Sequence, residues 1–294
     1  MTSPSPMAYR RSLEDRLRAV AAESGRELGW VRRRHVFIRV LHRLTASRPD
    51  EWVLKGGFAV ELRRPGFARA TIDLDLAVRR RTSTSGDVAL VRESLIDALG
   101  VDVDGDQFRF LVGPGRPLAE DAYGRPAWRF SIDAQLAGKS FVTLRLDLVE
   151  RPEELVDLTT LTLPVGTAAP HGATPRSIVT TDLRQQCAEK LHALTRSYTT
   201  GESTRVKDLV DVVLLVDDGL VGDERLYAVV RRVFTVRGTS SVPTEIGPPP
   251  VGWGAPFRAL AASAGLTGIT ANEAGRIVAD LWLQARQAAE GKDS

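Results

Sequence analysis

Residues 72–78, Ile-Asp-Leu-Asp-Leu-Ala-Val, place Ile72, Leu74, Leu76 and Val78 on one face and Asp73, Asp75 and Ala77 on the other. That period of two fixes a β-strand with a single buried face. The two carboxylates then stand about 6.5 Å apart along the strand. Like charges so placed repel unless a cation lies between them. Asp is also a poor strand former, and local inconsistencies of this kind gather at functional sites. The competing reading is an edge strand whose polar face meets water.

The flanking residues sharpen the choice. Trp52 to Leu54 form a short strand and residues 57–64 a helix ended by Pro65-Gly66, with Lys55-Gly56-Gly57 at the junction. Glycines at a helix start free backbone N–H groups to point at an anion, and Lys55 would add a charge. A third carboxylate comes from Val-Thr-Leu-Arg-Leu-Asp-Leu-Val-Glu, where Asp147 and Arg145 lie opposite the apolar set Val142, Leu144, Leu146 and Leu148. Asp133, on the partner strand, is a second candidate, although solvent exposure on the hairpin is its simpler reading. Asp73, Asp75 and Asp147 together would make a hard, oxygen-rich site for Mg²⁺ (or Mn²⁺). Two metals held this way can activate an attacking hydroxyl and stabilise a leaving pyrophosphate.

Along the chain the spacing predicts a disordered tail over 1–9, helices from Ser12 to Gly25 and over 28–46, a helix over 87–99 and a strand over 107–112. Residues 128–150 read as a hairpin turning at Ala137-Gly138-Lys139. Beyond Pro175 the pattern is helical over 180–198, 205–217, 223–235 and 271–290. A Pro/Gly-rich stretch over 237–256 interrupts it and is expected to wrap the surface with Trp253 docked. The fold class is α+β: a mixed sheet with flanking helices, then a C-terminal helical half. The expected units are 10–165 for the catalytic sheet and 175–290 for a helical domain that completes the site.

Composition narrows the classes further. The 294 residues suffice for a sizeable core, and no apolar run approaches the roughly 18 residues needed to cross a bilayer. The N-terminus lacks a hydrophobic signal segment, and Cys187, the only cysteine, excludes disulfides and cysteine-based zinc sites. A cytoplasmic protein is therefore expected. The formal charge is only +3, a weak pointer to nucleic acid, and the local arginine clusters read most simply as solvated surface. Arg is used 35 times and Lys five times, at positions 55, 139, 190, 207 and 292, so a retained Lys suggests a compact point charge.

Two helices carry further candidates. On the first, Leu183, Cys187, Leu191 and Leu194 form a stripe with Lys190 at its inward edge, where it needs an anion or a route to solvent. On the second, Asp208 and Asp211 share one face of an otherwise apolar helix; a Lys190–Asp211 bridge of structural purpose is the alternative to a catalytic role. Arg205 and Lys207 are placed to touch nucleotide or nucleic acid. His192 reads as packing, Cys187 as a small buried hydrophobe, and Asp-Val-Asp-Gly-Asp over 102–106 lacks the Gly and Glu spacing of a calcium loop.

Lys-Gly-Gly-x-Ala-x-Glu-Leu-Arg over 55–63, Arg-Ala-Thr-x-Asp-Leu-Asp over 69–75, Cys-Ala-Glu-Lys-Leu-His over 187–192 and Arg-Val-Lys-Asp-Leu-Val-Asp over 205–211 occur in that order. Together they resemble the AbiEii/MenT nucleotidyltransferase toxins of the polymerase-β-like superfamily. The resemblance implies that Gly56 and Gly57 form the nucleotide-phosphate turn and that Asp73 and Asp75 ligate Mg²⁺. Lys190 then contacts the triphosphate, and Asp211 sits in the last functional block. Phe58 departs from the Ser or Thr that often follows the two glycines. The resemblance also implies transfer of NMP from an NTP to RNA, with the 3′ end of tRNA as acceptor, blocking aminoacylation. It implies a cognate antitoxin, and Thr71 as the hydroxyl whose phosphorylation silences the toxin. A monomer is expected. Rival readings are transfer to a protein or small molecule, a two-metal nuclease, and a binding protein without catalysis.

Overall fold

A computed structural model of the chain describes residues 5–64, 71–79, 86–118, 126–150, 152–165, 173–196 and 205–291. Helices α1 (Pro6–Ser24) and α2 (Leu28–Ser47) lead into strand β1 (Trp52–Lys55), helix α3 (Gly56–Arg63) and strand β2 (Asp73–Val78). Helix α4 (Val88–Gly100) is followed by β3 (Arg109–Val112), β4 (Arg116–Pro117), β5 (Ala127–Leu136), β6 (Lys139–Val149), β7 (Leu158–Leu163) and β8 (Arg176–Thr181). The chain then runs through α5 (Leu183–Thr195), α6 (Val206–Asp217), α7 (Glu224–Arg237), α8 (Gly254–Ser263) and α9 (Ala271–Glu290).

Local chemistry explains most boundaries. Ser5 caps α1 with Pro6 in the first turn, so residues 6–9 are helical and not part of a tail; Gly25, at φ +64°, ends it. Thr270 and Glu273 cap each other's backbone at the start of α9. The β5–β6 hairpin closes through Ala137 and Gly138, both at positive φ. Ile72 falls outside β2 and is exposed. The expected end of α3 at Pro65-Gly66 lies outside the described residues, as do much of the arginine cluster after Val78 and Lys292.

The sheet runs in the order β3-β5-β6-β2-β1-β8-β7, with β4 on β5. β2 is parallel to β6, and β1 to β8; the remaining pairs are antiparallel. The strands therefore continue past residue 165. What reads in sequence as one helix from residue 180 is the end of β8 followed by α5, and α8 was not expected. Trp253 is buried as expected.

One large core joins one face of the sheet, including Leu74, Leu76 and Val78, to α1, α2 and α4. A second fills the space among α5 to α9. A small third cluster of Val53, Ala77 and Val179 lies on the sheet's other face. The arginines of α2 correct the solvated-surface expectation: Arg39 and Arg43 are buried. Asp106, also buried, accepts from Arg39 Nε at 2.7 Å and Arg43 Nη2 at 2.5 Å, while Asp104 lies 3.1 Å from Arg39. The acidic loop over 102–106 is thus the internal counter-ion of α2, which agrees with its dismissal as a calcium loop.

Candidate active site

The register of three strands builds the floor of a cavity of about 450 Å³. β2 lies between β1 and β6, so Asp75 is paired in register with Lys55 on one side and Asp147 on the other. Arg145 is opposite Asp73, and Arg129 on β5 is opposite Asp147. All three candidate carboxylates line the cavity.

Gly56 couples the turn to this floor. It adopts φ +66°, and a Cβ built on it would lie 1.9 Å from Asp75 Oδ2 and 2.7 Å from its Cγ. Any larger residue would occupy the space of the carboxylate, so the glycine and the Asp pair are one device. Gly56 and Gly57 open α3 toward the cavity, where orphan N–H groups and the helix dipole favour an anion. Phe58 faces away from this chemistry: it is fully buried and packs edge-on against Phe37 at 5.0 Å.

Cations hold two of the carboxylates. Arg129 donates to both oxygens of Asp147 at 2.7 Å. Arg145 Nε lies 2.6 Å from Asp73 Oδ1 but out of line, so among the described residues that buried oxygen accepts no hydrogen bond. Burial pushes the Asp75 carboxyl up to about 6; Lys190 and, less strongly, Lys55 oppose the shift, while Asp147 and Asp73 add to it. With the side chains as they stand, no three Asp, Glu, His or Cys groups among the described residues are gathered tightly enough to hold a metal ion. The donor chemistry nevertheless fits a hard divalent cation. The ligands are all oxygen, Asp73 Oδ1 accepts no hydrogen bond among the described residues although Arg145 is paired with it, and Gly56 makes room for the Asp75 carboxylate. Asp73, Asp75 and Asp147 would hold it once Arg145 releases Asp73 and Arg129 releases Asp147.

The wall opposite comes from the helical half. Lys190 Nζ bridges Asp208 Oδ1 at 2.8 Å and Asp211 Oδ2 at 2.9 Å, with both carboxylates buried. The structural bridge foreseen for Asp211 exists, and Lys190 at the same time lines the cavity. Lys55 Nζ reaches Glu189 Oε1 at 2.8 Å and Glu154 at 3.9 Å; Arg237 pairs with Glu154 and lies 3.7 Å from Glu189. Lys55 therefore ties the turn to α5, with its charge already matched by carboxylates. Arg205 and Lys207 sit at the rim at the start of α6; Lys207 is exposed and pairs with no acid among the described residues. Thr71 lines the cavity with its hydroxyl buried and, among the described residues, without a hydrogen-bond partner.

Other candidates fall outside. Asp133 is held by Ser140 and Gln135 on the hairpin. His192 packs edge-on against Phe234, and burial with nearby Arg237 pushes its pKa down to about 4. Cys187 is fully buried. Sequence reasoning missed Arg129, Glu189, Arg237 and Gln186, all of which line the cavity. Glu189 and Arg237 take their partners from remote segments, Arg129 pairs across the hairpin and Gln186 bonds Thr181 five residues earlier; only Glu189, beside Lys190, stood within a motif.

A Gly-Gly turn over paired aspartates on a mixed sheet, walled by a helical half, agrees with the nucleotidyltransferase class. The model of one family, described as "Nucleotidyl transferase AbiEii toxin, Type IV TA system", matches residues 39–289. The chain belongs to that family. No curated protein matches it. Among solved structures it is similar to JHP933 from Helicobacter pylori, with 13% identity and a TM-score of 0.44 over 87% of this chain and 92% of that one. It is also similar to an antigenic nucleotidyltransferase-like protein from Paracoccidioides brasiliensis, with 15% identity and a TM-score of 0.41 over 70% and 89%. No helix among the described residues is long and apolar enough to cross a membrane.

Proposed function

We propose that this toxin-family nucleotidyltransferase moves NMP from an NTP to an RNA acceptor, the 3′ end of tRNA, and so blocks aminoacylation. The observation that carries the reading is the convergence of Asp73, Asp75 and Asp147 under the Gly56 turn. Bound divalent metal would supply Lewis-acid activation of the attacking hydroxyl and charge neutralisation at the leaving pyrophosphate. The chain's own residues do the rest. Amides at the start of α3 receive phosphate oxygens, and Lys190, held by Asp208 and Asp211, presents a fixed positive charge to the triphosphate. The acceptor O3′ gives up its proton to solvent and bonds to the α-phosphorus as the bond to the bridging oxygen breaks, and that oxygen leaves with pyrophosphate.

Lys207 and Arg205 at the rim favour an RNA acceptor over a neutral small molecule. The phosphate turn and Lys190 favour transfer over hydrolytic cleavage. The expected division at 165/175 does not hold, because β8 belongs to the catalytic sheet; we read the sheet with α1 to α4 as the catalytic unit and α5 to α9 as the helical unit that completes its wall, in a monomer of the cytoplasm restrained by an antitoxin. Phosphate on Thr71 would set about two negative charges beside Asp73, switching the site off. Because the hydroxyl is buried, modification requires Thr71 itself to become exposed.

The test is total tRNA with Mg²⁺ and each α-labelled NTP, with Asp73→Ala as control. Label on tRNA that disappears in the variant supports the reading; shortened RNA, or label only on protein or small molecules, overturns it.

A further inference from the structure

Gln186 lies in the cavity wall, on the same face of α5 as Glu189, Lys190 and Ala193, and is 2% exposed. Its Nε2 donates to the backbone carbonyl of Thr181 at 3.0 Å. A carbonyl can only accept, so this bond fixes the amide orientation and leaves Oε1 as the free end. Among the described residues Oε1 has no hydrogen-bond partner. A buried unpaired carbonyl is costly, and native structures keep one where water or a ligand satisfies it.

The acceptor selects its partner by chemistry. Phosphate oxygens accept and cannot pair with it. A metal cation would find charged oxygen ligands on the sheet in Asp73, Asp75 and Asp147, which leaves the neutral carbonyl for a neutral donor. The neighbouring wall group, Asp208, is already matched by cations, with Arg205 Nη1 3.7 Å from Oδ2 and Lys190 Nζ 2.8 Å from Oδ1, so of these two wall groups it is the Gln186 carbonyl that lacks a donor among the described residues. A nucleoside triphosphate carries neutral donors only on its nucleoside part, as ribose hydroxyls and base N–H groups.

We propose that Gln186 is a specificity-determining residue whose Oε1 accepts a hydrogen bond from the nucleoside part of the substrate, either a ribose hydroxyl or a base amino group. The inference rests on the nucleotidyl-transfer reading above. A substrate lacking the donor strands the buried carbonyl, a loss on the order of 10- to 100-fold in kcat/KM.

The experiment compares wild type, Gln186→Met and Gln186→Glu, each first checked for an unchanged melting temperature. Met keeps the length and removes the acceptor, whereas Glu retains an acceptor; Arg63, which also donates to Thr181 O at 2.7 Å, holds that carbonyl in both. kcat/KM is measured for the four NTPs, for 2′- and 3′-deoxy forms of the best, and for ITP against ATP. Binding of non-hydrolysable analogues is followed by thermal shift. If a ribose hydroxyl is read, Gln186→Met collapses the ribo-to-deoxy ratio to within about threefold while the base ratios hold. If an amino group is read, the base ratios collapse instead. Gln186→Glu retains most of whichever ratio is affected. Unchanged ratios in a folded Gln186→Met enzyme, meaning that only water fills the position, overturn the inference and leave the transfer reading intact. A wild type that neither binds nor transfers any nucleotide overturns both.

Discussion

Replacing Gly56 by alanine tests whether the turn and the carboxylate floor act as one unit. The added Cβ would stand 1.9 Å from Asp75 Oδ2, 2.7 Å from Cγ and 3.0 Å from Cβ. Carbon atoms in ordinary contact sit about 3.5 to 4.0 Å apart. The clash reaches the root of the Asp75 side chain, so a rotamer change cannot clear it and β1 must move against β2. The backbone, at φ +66°, adds about 1–2 kcal/mol for an L-residue in the left-handed region. Together with the displaced carboxylate we expect a loss of about 2–4 kcal/mol, or roughly 5–12 °C in Tm. A shift of about 1 Å in a catalytic group costs on the order of 100-fold, so nucleotide transfer should fall at least that far. Thermal denaturation and labelled-NTP transfer are measured for Gly56→Ala, Asp75→Ala and the double variant. In the Asp75→Ala background the contacts with Oδ2 and Cγ are gone and only the one with Cβ remains, so the glycine change should cost the backbone part plus that contact, giving a coupling of about 1 kcal/mol. Additive effects, or Gly56→Ala transferring label within threefold of wild type, would refute the reasoning.

Asp75 gives a pH signature. Its folded pKa, about 6, lies above the ordinary 3.8, so the folded chain holds this proton more tightly and stability falls as pH rises between those values. Asp75→Asn should therefore raise the metal-free Tm at neutral pH, by about 2–3 kcal/mol in stability, with the gain vanishing below pH 3.8, while transfer is lost. Mg²⁺ should raise the Tm of wild type but not of Asp75→Asn, measured by differential scanning fluorimetry. Lys190→Met leaves Asp208 and Asp211 without this cation, and both activity and about 3–5 kcal/mol of stability should go. Adding Asp208→Asn should restore part of the stability and none of the activity. Asp106→Asn, remote from the cavity, should cost a similar amount of stability in urea denaturation through Arg39 and Arg43. Its transfer rate per folded molecule should stay unchanged.

The sequence by itself determined what depends on short-range period. Alternation over 72–78 put Leu74 and Leu76 in the core and Asp73 and Asp75 at the cavity, and helical spacing placed Lys190, Asp208 and Asp211 on facing sides of α5 and α6. Glycines and caps set α1, α9 and the hairpin turn, because φ and capping bonds involve residues only a few positions apart. Tertiary structure decided the pairings between remote segments. β8 is a strand because β1, more than a hundred residues earlier, offers it a parallel edge; alone, its last two residues, Thr180 and Thr181, read as the start of a helix. The arginines of α2 look solvated until Asp104 and Asp106 are folded against them. The partner of Asp147 turns on one bulged residue. The pairing of Leu136 with Lys139, carried on without interruption, would set Trp128 opposite Asp147, but the shift at Ala134/Gln135 brings Arg129 there instead. A strand's own pattern fixes which face a residue takes. The identity of its neighbour is set by register and packing, which exist only once the chain has closed on itself.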